Sequence, residues 1–258
     1  MESDPEPHPL SRPLPREPAS DHRDLDGPAP ASSAAARLGL YVHVPFCAVR
    51  CTYCDFSSGA LSARALERYL GGMERETSRR APDADGATFT SVFFGGGTPS
   101  ALSARHFARL VSTLRSHFAI APDAEITLEA NPESVRPALL DAWRAAGVNR
   151  LSFGVQSFHP DELARLGRIH DAARPGVAVA LARAHGFARL SLDLMFGFPG
   201  STRERFAATL ERALELDPEH LSAYCFIPEA GTPMGDDVLR GRVTLPDADV
   251  QADLYASL

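Results

Sequence analysis

From Leu38 onward the chain alternates short apolar runs with longer amphipathic stretches, and the alternation repeats six times. The strand-like runs are Gly39–Val44, Ser91–Phe94, Glu125–Glu129, Arg150–Val155, Ala188–Leu194 and Leu221–Phe226. Helical patterns fill the intervals: Ala63–Arg79, Ala104–His117, Arg136–Ala146, Pro160–Leu166, Arg174–His185 and Arg203–Leu216. Strict alternation leaves few folds open. Each helix must carry the chain back so that the next strand runs parallel, through a right-handed crossover. The spacing predicts an α/β chain built on a parallel sheet. Ligands of such sheets bind beyond the carboxyl ends of the strands. Phe94 there runs into Gly95, Leu128 into Glu129 and Asn131–Pro132, and Leu194 into Phe196–Gly197. These strand ends are where a site is expected.

Residues 1–36 do not share the rhythm. Eight prolines fall in the first thirty positions, with almost no large apolar side chains. Such a stretch cannot bury enough surface to offset its chain entropy, and it reads as a disordered tail. The folded domain is expected over 37–258, with a helix from Asp247 that is cut by the end of the chain. Thirty-three acids against 26 bases, all of them arginine, leave a net charge of −7. That balance argues against a nucleic-acid partner, which needs a basic field to neutralise phosphates. The longest uncharged run, Gly86–Ala104, is rich in Gly, Ser and Thr and contains Pro99, so no transmembrane segment is expected. The N-terminus lacks the basic patch and apolar core of a secretory leader, so the expected compartment is the cytoplasm.

In a reducing compartment clustered cysteines read as metal ligands rather than bridges. Cys47, Cys51 and Cys54 stand in a C-x3-C-x2-C run just after the first strand, while Cys225 lies far away and reads as a small buried hydrophobe. Three thiolates so close together would repel one another without a metal. Two soft-metal solutions fit: a zinc ion with His43 as fourth ligand, or a [4Fe–4S] cluster with three irons on cysteine and the fourth open. Gly95, Gly96 and Gly97 end the second strand without side chains, so their backbone can approach a ligand closely.

The cysteine run, with Tyr53 just before its last cysteine, resembles the radical S-adenosylmethionine (SAM) superfamily. The stretch Tyr41–Phe56 is similar to the branch that holds the oxygen-independent coproporphyrinogen III dehydrogenases and the HemW-type haem chaperones. Further matches are Phe94–Ser100, Leu128–Pro132, Leu151–Phe158, Gly167–His170, Leu192–Gly200 and Glu229–Pro233. The resemblance implies a partial (β/α)6 barrel over roughly residues 38–258, which agrees with the six units read above.

It also implies roles. Cys47, Cys51 and Cys54 would hold the cluster, whose open iron binds SAM and whose electron cleaves it to a 5′-deoxyadenosyl radical. Gly96, Gly97, Thr98, Glu129, Gln156, Arg168 and Asp193 would line the SAM site. Tyr53 would lie beside the cluster, and Tyr41 would stack on cluster or ligand or pack in the core. A carboxylate in the apolar run around Asp193 needs a partner, and Arg168 is the candidate. The dehydrogenases carry a further cysteine two residues after the third, where this chain has Phe56. The Cys54-Asp55-Phe56 ending and Glu129-Ala130-Asn131-Pro132 look more like the haem chaperones. The expected function is therefore haem transfer to an acceptor protein, with an electron donor serving the cluster. The alternative is oxidation of coproporphyrinogen III in porphyrin biosynthesis. No catalytic residue and no haem ligand is assigned, because the histidines are scattered.

Overall fold

The computed structural model describes residues 37–258; the expected tail at 1–36 lies outside the described residues. Along the chain run β1 (Arg37–Val44), β2 (Phe46–Cys47), β3 (Gly59–Ala60), α1 (Ala63–Arg80), β4 (Thr88–Gly96) and α2 (Ala104–His117). Then follow β5 (Ile120–Ala130), α3 (Pro137–Ala145), β6 (Arg150–Gln156), α4 (Pro160–Arg165), α5 (Arg174–Ala184) and β7 (Arg189–Phe196). The last elements are α6 (Arg203–Leu214), β8 (His220–Cys225), α7 (Pro233–Leu239) and α8 (Ala248–Ala256). Six strands form one parallel sheet in the order β1-β4-β5-β6-β7-β8, the order of the chain itself. This is a half-barrel.

The two faces of the sheet have opposite chemistry. On β1, Val42 and Val44 are buried while Tyr41 and His43, which alternate with them, are not. On β4, Val92 and Phe94 are buried and Phe93 is partly open. The buried set packs beneath the helices in one core with Leu70, Phe107, Leu110, Leu114, Leu140, Trp143 and Phe206. Phe94 meets Phe107 edge-on, with ring centres 5.0 Å apart. The other set faces the concavity. Register aligns Glu129 with Ser152, Ser152 with Ser191 and Ser191 with His220, and it aligns Gly154 with Asp193 and Asp193 with Ser222. A closed barrel fills that space with branched apolar side chains; here it is lined with hydroxyls and carboxylates.

Local chemistry sets the helix ends. Ser62, Ser103 and Thr202 each accept a backbone N–H from the first turn of α1, α2 and α6. The strand β5 starts five residues earlier than the alternation predicts. Pro122 and Asp123 hide its first part from a pattern reading, and the ladder tolerates them because pairing slips between Phe89 and Ser91. The helix expected from Asp247 is α8, with the Asp247 carboxylate capping Val250.

Candidate cluster and cofactor site

The cysteine loop leaves β1 through Pro45 and is bracketed by the short β2–β3 ladder, in which Phe46 faces Gly59 and Cys47 faces Ala60. Its floor is the end of β4. The Gly97 N–H donates to the Val44 carbonyl at 2.9 Å. A Cβ on Gly97 would lie 2.7 Å from the Phe46 carbonyl oxygen, so only glycine lets the strand end and the loop come this close. Thr52 pins the far side. Its N–H donates to the Leu166 carbonyl at 3.1 Å and its carbonyl accepts from Met234 N–H at 2.9 Å. Its hydroxyl donates to the Arg165 carbonyl at 2.7 Å. Nothing in the sequence marked Thr52, because all three partners are distant in the chain.

Two of the three thiols have a donor of their own. Thr98 Oγ1 donates to Cys47 Sγ at 3.6 Å. The Arg168 guanidinium donates to Cys51 Sγ at 3.4 Å. Burial pushes the Cys54 thiol up, with the Phe56 N–H opposing. Tyr53 packs against the cluster of Leu166, Met195, Phe198, Phe226 and Met234. Its phenol is raised well above the usual range, first by burial, with the Arg168 charge opposing.

Zinc with His43 as fourth ligand does not fit. Among the described residues no three His, Cys, Asp or Glu side chains converge on a point where one ion could be held. His43 Nε2 lies 2.8 Å from the Ser57 carbonyl, and its Nδ1 lies 3.2 Å from the Tyr41 hydroxyl. A cluster asks for something else, namely each thiolate on its own iron with donors to the sulfurs. The thiols of Cys47 and Cys51 have such donors.

Beside the thiols lies a cavity of about 410 Å³ whose walls include Gly96, Gly97, Thr98, Glu129, Asn131, Gln156, Arg168 and Asp193. Glu129 Oε2 accepts the Gly96 N–H at 3.2 Å. Burial, then the charge of Asp193, push the Glu129 carboxyl up to about 7, with the Gly96 N–H opposing. Burial pushes Asp193 up to about 6, against the Ser152 and Ser222 hydroxyls. Two carboxylates held out of water call for a cationic or hydroxyl-rich ligand. Gln156 ends β6 with φ of 69°, a left-handed conformation uncommon outside glycine. Its Oε1 is buried with no partner, as is the Arg168 Nε. These are groups left for a ligand to satisfy.

Three expectations need correction. Arg168 is not the partner of Asp193. The Ser152 hydroxyl donates to Asp193 at 3.0 Å, while Arg168 holds Asn131 Oδ1 at 2.6 Å and the Gly154 carbonyl at 2.7 Å. A guanidinium fork finds more acceptors at the ends of β5 and β6 than one carboxylate would offer. Cys225 is only half-buried and borders the cavity, because β8 is the edge strand. Tyr41 is neither core nor cavity wall. It is 58% exposed on the concave face, stacked on Phe93 at 6.1 Å. Asn131, absent from the predicted site, links Arg168 to Thr98.

A six-stranded parallel half-barrel with three thiols at the amino-terminal loop and a carboxylate-lined cavity at the strand ends defines a class, and the comparisons agree with it. The profile of the Radical SAM superfamily matches residues 41–213, and the chain belongs to that family. Within it the chain is similar to HemW proteins. "Heme chaperone HemW" of Mycobacterium tuberculosis is 40% identical over 235 residues, covering 90% of this chain and 60% of that protein. The Escherichia coli protein of the same name is 40% identical over 219 residues, covering 84% of this chain and 57% of its own length. Among solved structures, coproporphyrinogen III oxidase (HemN) of Escherichia coli superposes with a TM-score of 0.77 at 33% identity, over 86% of this chain and 51% of that one. The chain thus spans about 60% of the length of its curated relatives.

Proposed function

We propose that this chain is the cofactor-binding part of a haem chaperone. Cys47, Cys51 and Cys54 hold three irons of a [4Fe–4S] cluster, and the cavity beside them takes SAM. The observation that carries the reading is the donor set: three thiols, two of them with a side-chain hydrogen bond, beside a cavity of buried carboxylates. When bound, the cluster supplies one low-potential electron and an open iron. The chain's own residues do the rest. Glu129 and Asp193 receive the cationic and hydroxyl groups of SAM, Arg168 and Gln156 present their free polar atoms, and Gly96 and Gly97 admit the ligand to the backbone. Thr98 and Tyr53 flank the cluster, and Tyr41 faces the concavity below. The partners are haem, an acceptor protein that receives it and an electron donor. We place the protein in the cytoplasm, where the thiols stay reduced. Among the described residues no helix is long and apolar enough to cross a membrane.

Oxidation of coproporphyrinogen III is the second reading, favoured by the likeness to HemN. Phe56, where the dehydrogenases carry a further cysteine, speaks against it. Anaerobic reconstitution tests the proposal. The wild-type chain should bind iron and sulfide in a 1:1 ratio and turn brown. Cys47→Ala, Cys51→Ala or Cys54→Ala should abolish this, and Cys225→Ala should not. Stoichiometric zinc without sulfide would overturn the proposal. With the full-length protein, a Soret band and haem transfer support the chaperone, whereas robust turnover of coproporphyrinogen supports the second reading.

A further inference from the structure

The thiols of Cys47 and Cys51 are joined by one continuous chain of hydrogen bonds. From Cys51, Arg168 reaches Sγ with one terminal nitrogen at 3.4 Å and Asn131 Oδ1 with the other at 2.6 Å. Asn131 Nδ2 donates to Thr98 Oγ1 at 3.4 Å, and that hydroxyl donates to Cys47 Sγ at 3.6 Å. The donors diverge from Arg168: one arm ends on Cys51 Sγ, and the other runs through Asn131 and Thr98 to end on Cys47 Sγ. Such chains polarise one another, so each link strengthens the next. The arc is also rooted in the scaffold: Arg168 holds the end of β6 through the Gly154 carbonyl at 2.7 Å, and the Asn131 N–H donates to Ser100 Oγ at 3.2 Å. Cys54 stands outside it, with no side-chain donor among the described residues. The three thiols are therefore unequal: a guanidinium on Cys51, a neutral hydroxyl on Cys47 and no side-chain donor on Cys54.

We propose that the Arg168–Asn131–Thr98 arc is an outer-sphere bridge that sets the reduction potential of the cluster by donating to the thiolates of Cys51 and Cys47, with Asn131 as its positioning residue. The inference rests on the cluster assignment above. A hydrogen bond or a positive charge at a thiolate draws electron density from the iron and favours the reduced cluster, so it raises the potential. Asn131 touches neither thiolate. It orients the two groups that do.

The test is a potentiometric titration of the anaerobically reconstituted 258-residue chain without SAM. An added low-potential reductant supplies one electron per cluster, and the signal of the reduced cluster is read by electron paramagnetic resonance. Thr98→Val removes a hydroxyl at nearly constant shape, Arg168→Gln removes a charge as well as a donor, and Asn131→Leu cuts the arc in the middle. All three should shift the potential negative, Arg168→Gln furthest and Asn131→Leu least. A potential unmoved in Thr98→Val and Arg168→Gln alike overturns the inference. If Arg168→Gln takes up no cluster, Thr98→Val and Arg168→Lys decide, and no shift in either overturns it. A wild-type chain that binds no iron and sulfide overturns the proposed function and this inference together. A normal wild-type cluster with unresponsive variants overturns the inference alone.

Discussion

The Glu129 carboxyl shows how a binding group weakens the empty fold that carries it. Its value in the folded chain is about 7 against an ordinary 4.5, through burial and the neighbouring Asp193. The sign follows from proton binding: the folded state holds this proton more tightly than the unfolded state does. The resulting stability is complete below pH 4.5 and is lost as the pH rises toward 7. At 1.36 kcal/mol per unit this amounts to roughly 3 kcal/mol at most. Glu129→Gln should therefore raise the melting temperature of the cluster-free chain by several degrees at pH 8 and change it little at pH 4. The same variant should weaken SAM binding to the cluster-loaded chain about ten- to a hundredfold, the loss of one charge-assisted hydrogen bond. Equal melting temperatures at pH 8 would show that the carboxyl is well solvated. The residue types at this site were legible from the chain: cysteine spacing, glycines at a strand end and a carboxylate after an apolar run. Their partners were not. Arg168 meets Cys51 across 117 positions and Asn131 across 37, and no local pattern encodes such contacts.

Elements were legible to within a few residues wherever the period was strong. The helix α2 spans Ala104–His117, as its apolar spacing predicts, since Phe107, Leu110, Val111 and Leu114 form a single buried stripe. The start of β5 was not legible, because a proline inside a strand is tolerated only at irregular pairing, and pairing is a tertiary fact. The junction of β4 with the cysteine loop carries the sharper consequence. Gly97 has backbone where a Cβ would collide with Phe46, at 2.7 Å from its carbonyl oxygen and 2.9 Å from its nitrogen. Backbone cannot rotate aside as a side chain does. Gly97→Ala should push the loop off the strand end, so that the cluster fails to assemble while the far-ultraviolet circular dichroism of the sheet and helices stays near wild type. Phe107→Ala supplies the contrast: a cavity beside Phe94 should cost about 3–5 kcal/mol of stability, while the cysteines keep their geometry. A Gly97→Ala chain that loads iron and sulfide normally would mean that the loop and strand end move independently.

At the scale of the whole molecule the decisive fact is that the half-barrel packs apolar side chains against helices on one side only. The convex face is sealed by helices, and the concave face presents Thr127, Glu129, Ser152, Ser191 and Asp193 from successive strands. Its edges, β1 and β8, do not pair with each other. Yet one cavity touches the loop after β1, the ends of β4, β5 and β6, and Tyr224 and Cys225 on β8. A ligand seated there ties together strands that the sheet alone connects only in series. Binding to the folded chain and not to the unfolded one stabilises it by about 2.7 kcal/mol when the ligand stands at a hundred times its dissociation constant. For a chain of this size that is roughly 5–10 °C in melting temperature. SAM added to the cluster-loaded chain should produce this shift. It should also slow amide hydrogen exchange at both ends of the sheet, in Leu40–Val44 and in Ser222–Cys225, because the two edges then open only with the ligand's release. Cys51→Ala should lose most of both effects, since it removes the iron site and the acceptor that orients Arg168. Protection confined to one edge would mean that the ligand occupies only part of the cavity. The same shift in Cys51→Ala would mean that SAM binds without the cluster and that the cavity walls alone hold it.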